Sequence, residues 1–327
     1  MINYIIRRIV YIVFVFFLVS VIMFALYKLS PADPVRMYTE GLQNEMRPAD
    51  FERFQQEIRE FLGLDQPIII QYFKWMGAML TGDFGRSLMY RQPVIEVIKA
   101  PMSNTLILNA ISMVLVFIIT IPLGITTAVK KGTIYDSTVQ VVTILGLSLP
   151  SFIISLAAIL VFSVLLGWLP IGGAYTPGFR GEGIAVLLDK LKHMILPVGV
   201  MTFMSLGSLT RYIRATMIDA LRMDYIRTAR AKGLTEKVVI YSHAFRNSMI
   251  PFMTILIGWF LSLLSGSVMI ERIFNWNGMG NLYISSIMVS DFAVALTLGM
   301  FYVLIGLIGY LVIDIVYTIV DPRIRLQ

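Results

Sequence analysis

The chain has 327 residues, of which 57% are hydrophobic and 14% are charged, and its mean hydropathy is +0.78. Soluble domains have about 25% charged residues, so this composition excludes an ordinary soluble protein and predicts a polytopic membrane protein. Cysteine is absent, which excludes disulfide bonds, thiol nucleophiles and cysteine-based metal sites. The net charge of +7 does not indicate nucleic-acid binding, because basic residues beside apolar segments follow the positive-inside rule.

A membrane-spanning helix requires about 20 mostly apolar residues, and six stretches of the sequence meet or approach that length. We therefore predict an all-α integral membrane protein with six transmembrane helices. The fourth stretch is short and contains serine and threonine, which packed membrane helices tolerate. The predicted spans are Ile9–Tyr27, Leu106–Val129, Val139–Leu166, Met194–Leu209, Met249–Ile270 and Ala293–Val320.

The distribution of basic residues sets the predicted orientation. With the N-terminus in the cytoplasm, fourteen Lys and Arg residues lie on the cytoplasmic side and four lie in the short loops opposite. The other nine lie in the long loop Lys28–Met102, where the positive-inside rule is weak. Without the fourth span, the most basic segment would lie outside. The pattern therefore predicts that both termini are cytoplasmic.

Three segments follow from this topology: residues 1–29 with the first span, residues 30–102 as an extracytoplasmic loop, and residues 103–327 as a five-helix core. The loop is predicted to contain a helix over Pro48–Gly63 and an amphipathic helix over Ile68–Leu80, followed by a turn at Thr81–Arg86. It forms a small cap on the membrane helices or a docking surface for a substrate-delivering protein, and these two interpretations are compatible.

The longest polar segment of the second half is the cytoplasmic loop Arg211–Asn247, with eight Lys and Arg residues against three Asp and Glu. Gly233 is predicted to end one helix as a left-handed cap, and Thr235 to begin the next. Such a hairpin could enter a cleft on a partner protein, whereas a basic loop lying on anionic lipid is the alternative. One apolar stripe is predicted on its first helix, at Ile218, Leu221, Tyr225 and Ala229.

Two loops are rich in glycine and aromatic residues, Gly167–Gly183 and Glu271–Gly280. They are either re-entrant, gate-like turns or plain turns. Pro122 and Pro150 lie within apolar spans and are expected to kink them. The gate candidates are Glu271, Phe274, Gly278 and Gly280.

Few ionisable groups are predicted to lie in the membrane. Asp314 lies inside the last span and has either a structural role or a place in the substrate path. His193 and His243 are the only histidines. They lie at loop–helix edges far apart in the topology, which does not favour a two-histidine metal or catalytic site.

The run DYIRTARAKGLTEKVVIYSHAFRNSMIP (224–251) resembles the coupling loop of ABC-importer permeases, in the form found in the peptide/nickel permease family. Ala229 matches the second alanine of the general Glu-Ala-Ala pattern, whereas Thr228 and Arg227 depart from it. Asn277 also departs, since the family often has proline there. The resemblance, to the B-type subunit, covers nearly the whole chain through Ser30–Val35, Leu62–Pro67, Gly82–Ser87, Leu169–Gly173, the Glu271–Gly280 turn and Asp321–Arg325.

This resemblance implies a type I importer permease in a bacterial or archaeal cell membrane. It implies a second, similar permease subunit, two cytoplasmic ATPases that bind ATP and Mg, and an extracytoplasmic substrate-binding protein. The chain lacks a phosphate-binding G-x4-G-K-[ST] loop, so no catalytic, cofactor-binding or metal residues are expected in it. The residues implied to contact an ATPase are Tyr225, Thr228, Ala229, Gly233 and Leu234.

The implied cargo is an oligopeptide or dipeptide, with nickel, a glutathione-like compound or another small solute as alternatives. An ion-coupled secondary transporter would require intramembrane carboxylates or inverted repeats, and only Asp314 fits. An intramembrane enzyme would require a nucleophile and base at matched depth, and neither histidine lies well inside a span.

Overall fold

The computed structural model describes residues 2–29, 34–39, 46–61, 63–264 and 266–320. Within them the chain is helical and contains no β-strand beyond one isolated bridge between Arg86 and Pro93. In chain order the helices are α1 (Ile2–Leu29), α2 (Pro34–Thr39), α3 (Pro48–Phe61), α4 (Ile68–Leu80), α5 (Val94–Val129), α6 (Ile134–Ser148), α7 (Ser151–Ala158), α8 (Ile184–Leu221), α9 (Asp224–Ala231), α10 (Glu236–Val238), α11 (Arg246–Ser248), α12 (Ile250–Leu261), α13 (Val268–Ile273), α14 (Met279–Met288) and α15 (Phe292–Val320).

Two helices continue in π-helical geometry, α7 through Ile159–Leu165 and α10 through Val239–Phe245. The fold contains two compact units. One comprises residues 1–102, 282–311 and 326–327, and the other residues 103–281 and 312–325. The resemblance motifs at residues 30–33 and 321–325, and Leu62, lie outside the described residues.

Three described helices are long and apolar enough to cross a membrane: Tyr4–Leu29 within α1, all of α5, and Phe292–Val316 within α15. They contain the first, second and most of the sixth predicted spans. The number rises to four if α6 and α7 with its π-helical extension form one broken span. The fourth predicted span lies inside α8, a 38-residue helix.

The third predicted span is not a continuous helix, because α6 and α7 meet at an angle of 107°. The bend follows from Pro150, which lacks an N–H donor and disfavours helical backbone in the residue before it. Leu149 accordingly has extended geometry, with ψ of 136°. The proline was expected to kink this span, and the bend is far larger than a kink.

The fifth predicted span is also shorter than expected. Helix α12 ends at Leu261 and continues only as a 3-10 turn over Ser262–Leu264, and α13 begins at Val268. Gly266, between them, lies so close to Glu271 that a Cβ atom there would be 2.6 Å from its Oε1. Helix α12 therefore ends just before the segment whose backbone packs around the Glu271 carboxylate.

In the first unit, α1 packs on α4 through a small polar contact and an aromatic cluster. The Ser20 and Tyr72 hydroxyls are 2.8 Å apart, and the Phe24 ring lies against those of Tyr72 and Trp75. The two predicted loop helices are confirmed as α3 and α4, and the predicted turn follows them. Only 11% of the α1 span is buried, so its apolar outer face is suited to lipid or to another membrane helix.

In the second unit, α6 crosses α8 at two glycines. A Cβ atom at Gly207 would collide with the carbonyl oxygen of Thr143, and one at Gly146 would lie 2.5 Å from that of Phe203. This is the small-residue packing by which membrane helices bring their backbones together. The two helices therefore meet backbone to backbone.

Candidate functional site

The first candidate site is the segment Asp224–Ser248, which we name the basic hairpin. Its first helix, α9, ends in a Schellman motif: the Gly233 N–H donates to the Arg230 carbonyl (2.9 Å) and the Leu234 N–H to the Ala229 carbonyl (3.3 Å). Gly233 has φ of +78°, in the left-handed region that glycine adopts at little cost. The sequence prediction of a left-handed glycine cap is confirmed.

The second arm of the basic hairpin begins at Thr235, as predicted, although the Thr235 hydroxyl makes no capping hydrogen bond. Instead, the Arg230 guanidinium donates to the Glu236 carboxylate at 2.7 Å across the turn. This hydrogen bond lowers the pKa of Glu236. Both side chains are exposed, so solvent screens the pair and it mainly orients the two arms.

The inner face of the basic hairpin is buried against the ends of α5 and α8. Ile226 and Val239 are fully buried, and Ala229 and Ala244 lie beside them. They form one hydrophobic cluster with Ile125, Ala128, Ile213, Met217 and Ala220. The basic hairpin is therefore packed directly against these two long helices.

The predicted apolar stripe does not lie on a single helix, although three of its four residues, Ile218, Leu221 and Ala229, pack in the hydrophobic cluster. Helix α8 ends at Leu221 and α9 begins at Asp224, so residues on either side do not share one helical repeat. Tyr225 is consequently exposed, whereas Ile226 is completely buried.

The outer face of the basic hairpin carries four of the five predicted coupling residues, Tyr225, Thr228, Gly233 and Leu234. Ala229 belongs instead to the hairpin's own core. The outer face also exposes other large apolar side chains and basic side chains. These are Val238, Tyr241, Arg227, Arg230 and Lys232, and the two residues just before the hairpin, Arg222 and Met223, are also exposed.

The second candidate site is the turn that follows α12, which surrounds the fully buried carboxylate of Glu271. Glu271 accepts hydrogen bonds from the Thr105 hydroxyl (2.9 Å) and from the backbone N–H groups of Gly280 and Asn281 (2.9 Å for Asn281). These amides belong to the first turn of α14, where a carboxylate is favoured by the helix dipole. Glu271 therefore ties the turn to α5 and caps α14.

The other predicted gate residues lie in the same turn. A Cβ atom at Gly278 would be 2.5 Å from the Glu271 carboxylate carbon, so this glycine makes room for Glu271. Phe274 is buried, and its carbonyl accepts a hydrogen bond from the Gly173 N–H (2.8 Å). The two glycine-rich loops are thus packed together as an ordered unit.

Sequence reasoning missed the residues of α5 that hold this turn. Besides Thr105, the side-chain amide of Asn104 donates to the Asn277 carbonyl (2.9 Å) and accepts from Lys190 (3.0 Å). The backbone carbonyl of Asn104 accepts from the Trp276 indole (3.3 Å). Asn104 and Asn277 are 173 positions apart, and no local pattern links them.

The other residues named from the sequence, Asp314, His193 and His243, lie on three different elements. Asp314 is half-buried in α15. His193 is buried, with Nδ1 2.9 Å from the Asp189 carbonyl, and His243 lies in the π-helical part of the basic hairpin. Over the described ranges, no group of three or more His, Cys, Asp or Glu residues could hold a metal ion.

A cavity of about 380 Å³ lies between α5, α8 and the end of α12. Among the described residues, the polar groups of its wall are the amide of Asn109 and the hydroxyls of Ser112, Ser205 and Ser267, and none of the lining residues is charged. The other lining residues are Met113, Val116, Met201, Trp259, Leu263 and Gly266. Such a wall can hydrogen-bond a polar solute without selecting for charge.

These features define an all-helical integral membrane protein with a structured basic hairpin, a buried glutamate turn and an uncharged cavity between helices. Residues 120–326 match the family described as binding-protein-dependent transport system inner membrane component, and residues 1–109 match the N-terminal family of the same components. The chain belongs to this family of inner-membrane permeases. The family name states that transport by these components depends on a binding protein.

The chain is also similar to two named permeases over almost its whole length. It is 37% identical over 323 residues to the oligopeptide transport system permease protein AppB of Bacillus subtilis (strain 168), covering 98% of this chain and 99% of that protein. It is 34% identical over 325 residues to the glutathione transport system permease protein GsiC of Escherichia coli (strain K12), covering 99% of each.

Proposed function

We propose that this chain is the transmembrane permease subunit of an ATP-driven ABC importer, and that it moves oligopeptides or dipeptides delivered by an extracytoplasmic binding protein. The observation that carries the proposal is the basic hairpin. It is a capped two-helix projection with exposed Tyr225 and Leu234 on one side, and a core continuous with α5 and α8 on the other.

The hairpin supports a role in energy coupling because it has two distinct faces. Exposed apolar and basic side chains suit the cleft of a partner protein, since central apolar anchors surrounded by charge are typical of interfaces. The buried face then passes the partner's movement to the membrane helices. In this proposal two ATPase subunits bind ATP and Mg, a second homologous permease subunit completes the pathway, and this chain holds no cofactor.

The proposed topology is the type I importer arrangement, with six spans and both termini in the cytoplasm. Helices α1, α5, α8 and α15 provide four crossings, the bent α6–α7 pair a fifth, and α12 with its 3-10 turn the sixth. The Glu271 turn then lies at the extracytoplasmic end of the pathway, where Glu271, Phe274, Gly278 and Gly280 shape a gate.

The uncharged cavity supports a peptide as cargo. Every peptide offers the same backbone N–H and C=O groups whatever its side chains, and hydroxyl and amide side chains can pair with both. The methionine side chains of the cavity wall, Met113 and Met201, are flexible and can adapt to peptide side chains of different shapes. Glutathione is a tripeptide and fits the same chemistry. Nickel or another small solute would depend on the binding protein that delivers it.

Reconstitution of the purified complex in proteoliposomes tests this function. We expect ATP-dependent peptide uptake only when this chain, its permease partner, both ATPases and the binding protein are all present. Transport of nickel but not peptide would favour the alternative cargo. Uptake by this chain alone, driven by a proton gradient, would overturn the proposal in favour of secondary transport.

A further inference from the structure

A buried ion pair joins the start of α6 to α8 on the side of the basic hairpin. The Arg214 guanidinium donates from Nε to Asp136 Oδ1 and from Nη2 to Oδ2, both at 2.7 Å. The Asp136 side chain is 3% exposed and that of Arg214 18%. Two parallel bonds of this kind fix orientation as well as distance.

The Asp136 carboxylate is fully bonded in this position. It also accepts the Gly132 N–H (2.9 Å) and a bond from the Gln140 amide (3.0 Å). A buried polar network whose hydrogen bonds are all satisfied forms a rigid connection.

The position of the pair relates it to the basic hairpin. Arg214 directly follows Ile213, which belongs to the hydrophobic cluster that holds the hairpin. Two helical turns away on α8, Gly207 brings α6 and α8 into backbone contact. Helices α6 and α8 are therefore held together at two points, by the Asp136–Arg214 ion pair and by the backbone contact at Gly207.

We infer that Asp136 and Arg214 are positioning residues that make α6 move together with α8 and the basic hairpin. Helix α6 leads through its bend into α7, where Ile154 and Ala158 pack against Ile270 and Phe274 of the Glu271 turn. The ion pair thus begins a mechanical connection from the hairpin to that turn. The inference rests on the proposed function, because it assigns the connection a role in coupling ATP hydrolysis to transport.

The test measures peptide transported per ATP hydrolysed by the reconstituted full complex. Asp136→Asn removes the charge at nearly constant size, and Arg214→Lys keeps the charge but loses the two-pronged geometry. Coupling networks contribute about 2- to 30-fold, so we expect Asp136→Asn to lower the ratio within that range while ATP hydrolysis continues. Arg214→Lys is expected to fall between wild type and Asp136→Asn.

The matched control is Glu96→Gln, which removes an exposed ion pair with Lys99 and should leave the ratio unchanged. The double variant Asp136→Arg with Arg214→Asp restores opposite charges and should recover part of the ratio. Recovery is partial because Gly132 and Gln140 are placed to donate to a carboxylate at position 136.

Two results would overturn the inference. In the first, wild type transports and Asp136→Asn is equally well coupled. In the second, Asp136→Asn lowers transport, ATP hydrolysis and the amount of assembled complex in the same proportion, and the double variant restores none of them. That result would show a purely structural role. A wild-type complex that fails to transport peptide counts instead against the proposed function, so the two failures are distinguishable.

Discussion

Gly233 is the residue on which the shape of the basic hairpin depends. Its φ of +78° is strained for any residue with a Cβ atom, by about 1–2 kcal/mol. An added Cβ would meet no other atom within 4 Å. The cost of a substitution there therefore comes from the backbone alone, and the side chain's tolerance of left-handed geometry decides the outcome.

We predict that Gly233→Val uncouples the transporter, whereas Gly233→Asn retains most of its transport, because asparagine tolerates the left-handed region. ATP hydrolysis and peptide uptake by the reconstituted complex measure both effects, with membrane insertion of each variant as the control. Full transport by the valine variant would show that the turn geometry does not matter for coupling.

Glu271 is the residue that holds the second candidate site together. Removing its carboxylate leaves the Gly280 and Asn281 amides and the Thr105 hydroxyl buried without an acceptor. Each such unpaired group costs about 1–3 kcal/mol. The sequence placed Glu271 in a gate-like turn, but it gave no sign that this carboxylate bonds to α5 and caps α14.

We expect Glu271→Ala to lower the unfolding temperature of the detergent-purified protein by several degrees. Met269→Ala, on the same short helix but half exposed, is the matched control and should have little effect. If the two variants unfold at the same temperature, the carboxylate is not the anchor of this turn.

At the scale of elements, the sequence predicted helices well where the signal is local. The caps of the basic hairpin and the bounds of α4 follow from residues that are neighbours along the chain. The break between α8 and α9 was not predicted, because apolar residues continue on both sides of it. The helical repeat is nevertheless interrupted there, between Leu221 and Asp224. The Asp136–Arg214 pair spans 78 positions, and no repeat or spacing in one sequence reports a contact of that length.

The crossing of α6 and α8 is a second feature that sequence alone did not reveal, and it can be tested within one helix. In Gly207→Ala the new methyl group collides with the Thr143 carbonyl and the Leu147 side chain, and overpacking of this kind costs about 1–3 kcal/mol. We expect this variant to unfold at a lower temperature than wild type.

Gly199→Ala is the matched control on the same helix, because its methyl group would meet no atom within 4 Å. Alanine favours a helix over glycine by about 1 kcal/mol, so this variant should be as stable as wild type or slightly more stable. Equal destabilisation of both variants would mean that the loss at Gly207 is not caused by the crossing.

At the scale of the whole molecule, the number of membrane crossings depends on the bent α6–α7 pair. With a broken span at this bend, three spans separate α3 from the basic hairpin, and the two lie on opposite sides of the membrane. With a re-entrant turn, two spans separate them and they lie on the same side. The charge pattern favours the first arrangement, because basic loops are retained in the cytoplasm.

Single cysteines can decide between these arrangements, because the native chain has none. Glu57 on α3 and Arg227 on the basic hairpin are both exposed. In right-side-out vesicles a membrane-impermeant maleimide is expected to label Glu57→Cys, and to label Arg227→Cys only after lysis. The unsubstituted protein, which should not react, is the control. Labelling of both cysteines before lysis would make the α6–α7 bend a re-entrant turn and remove the basic hairpin from the cytoplasm, where an ATPase could reach it.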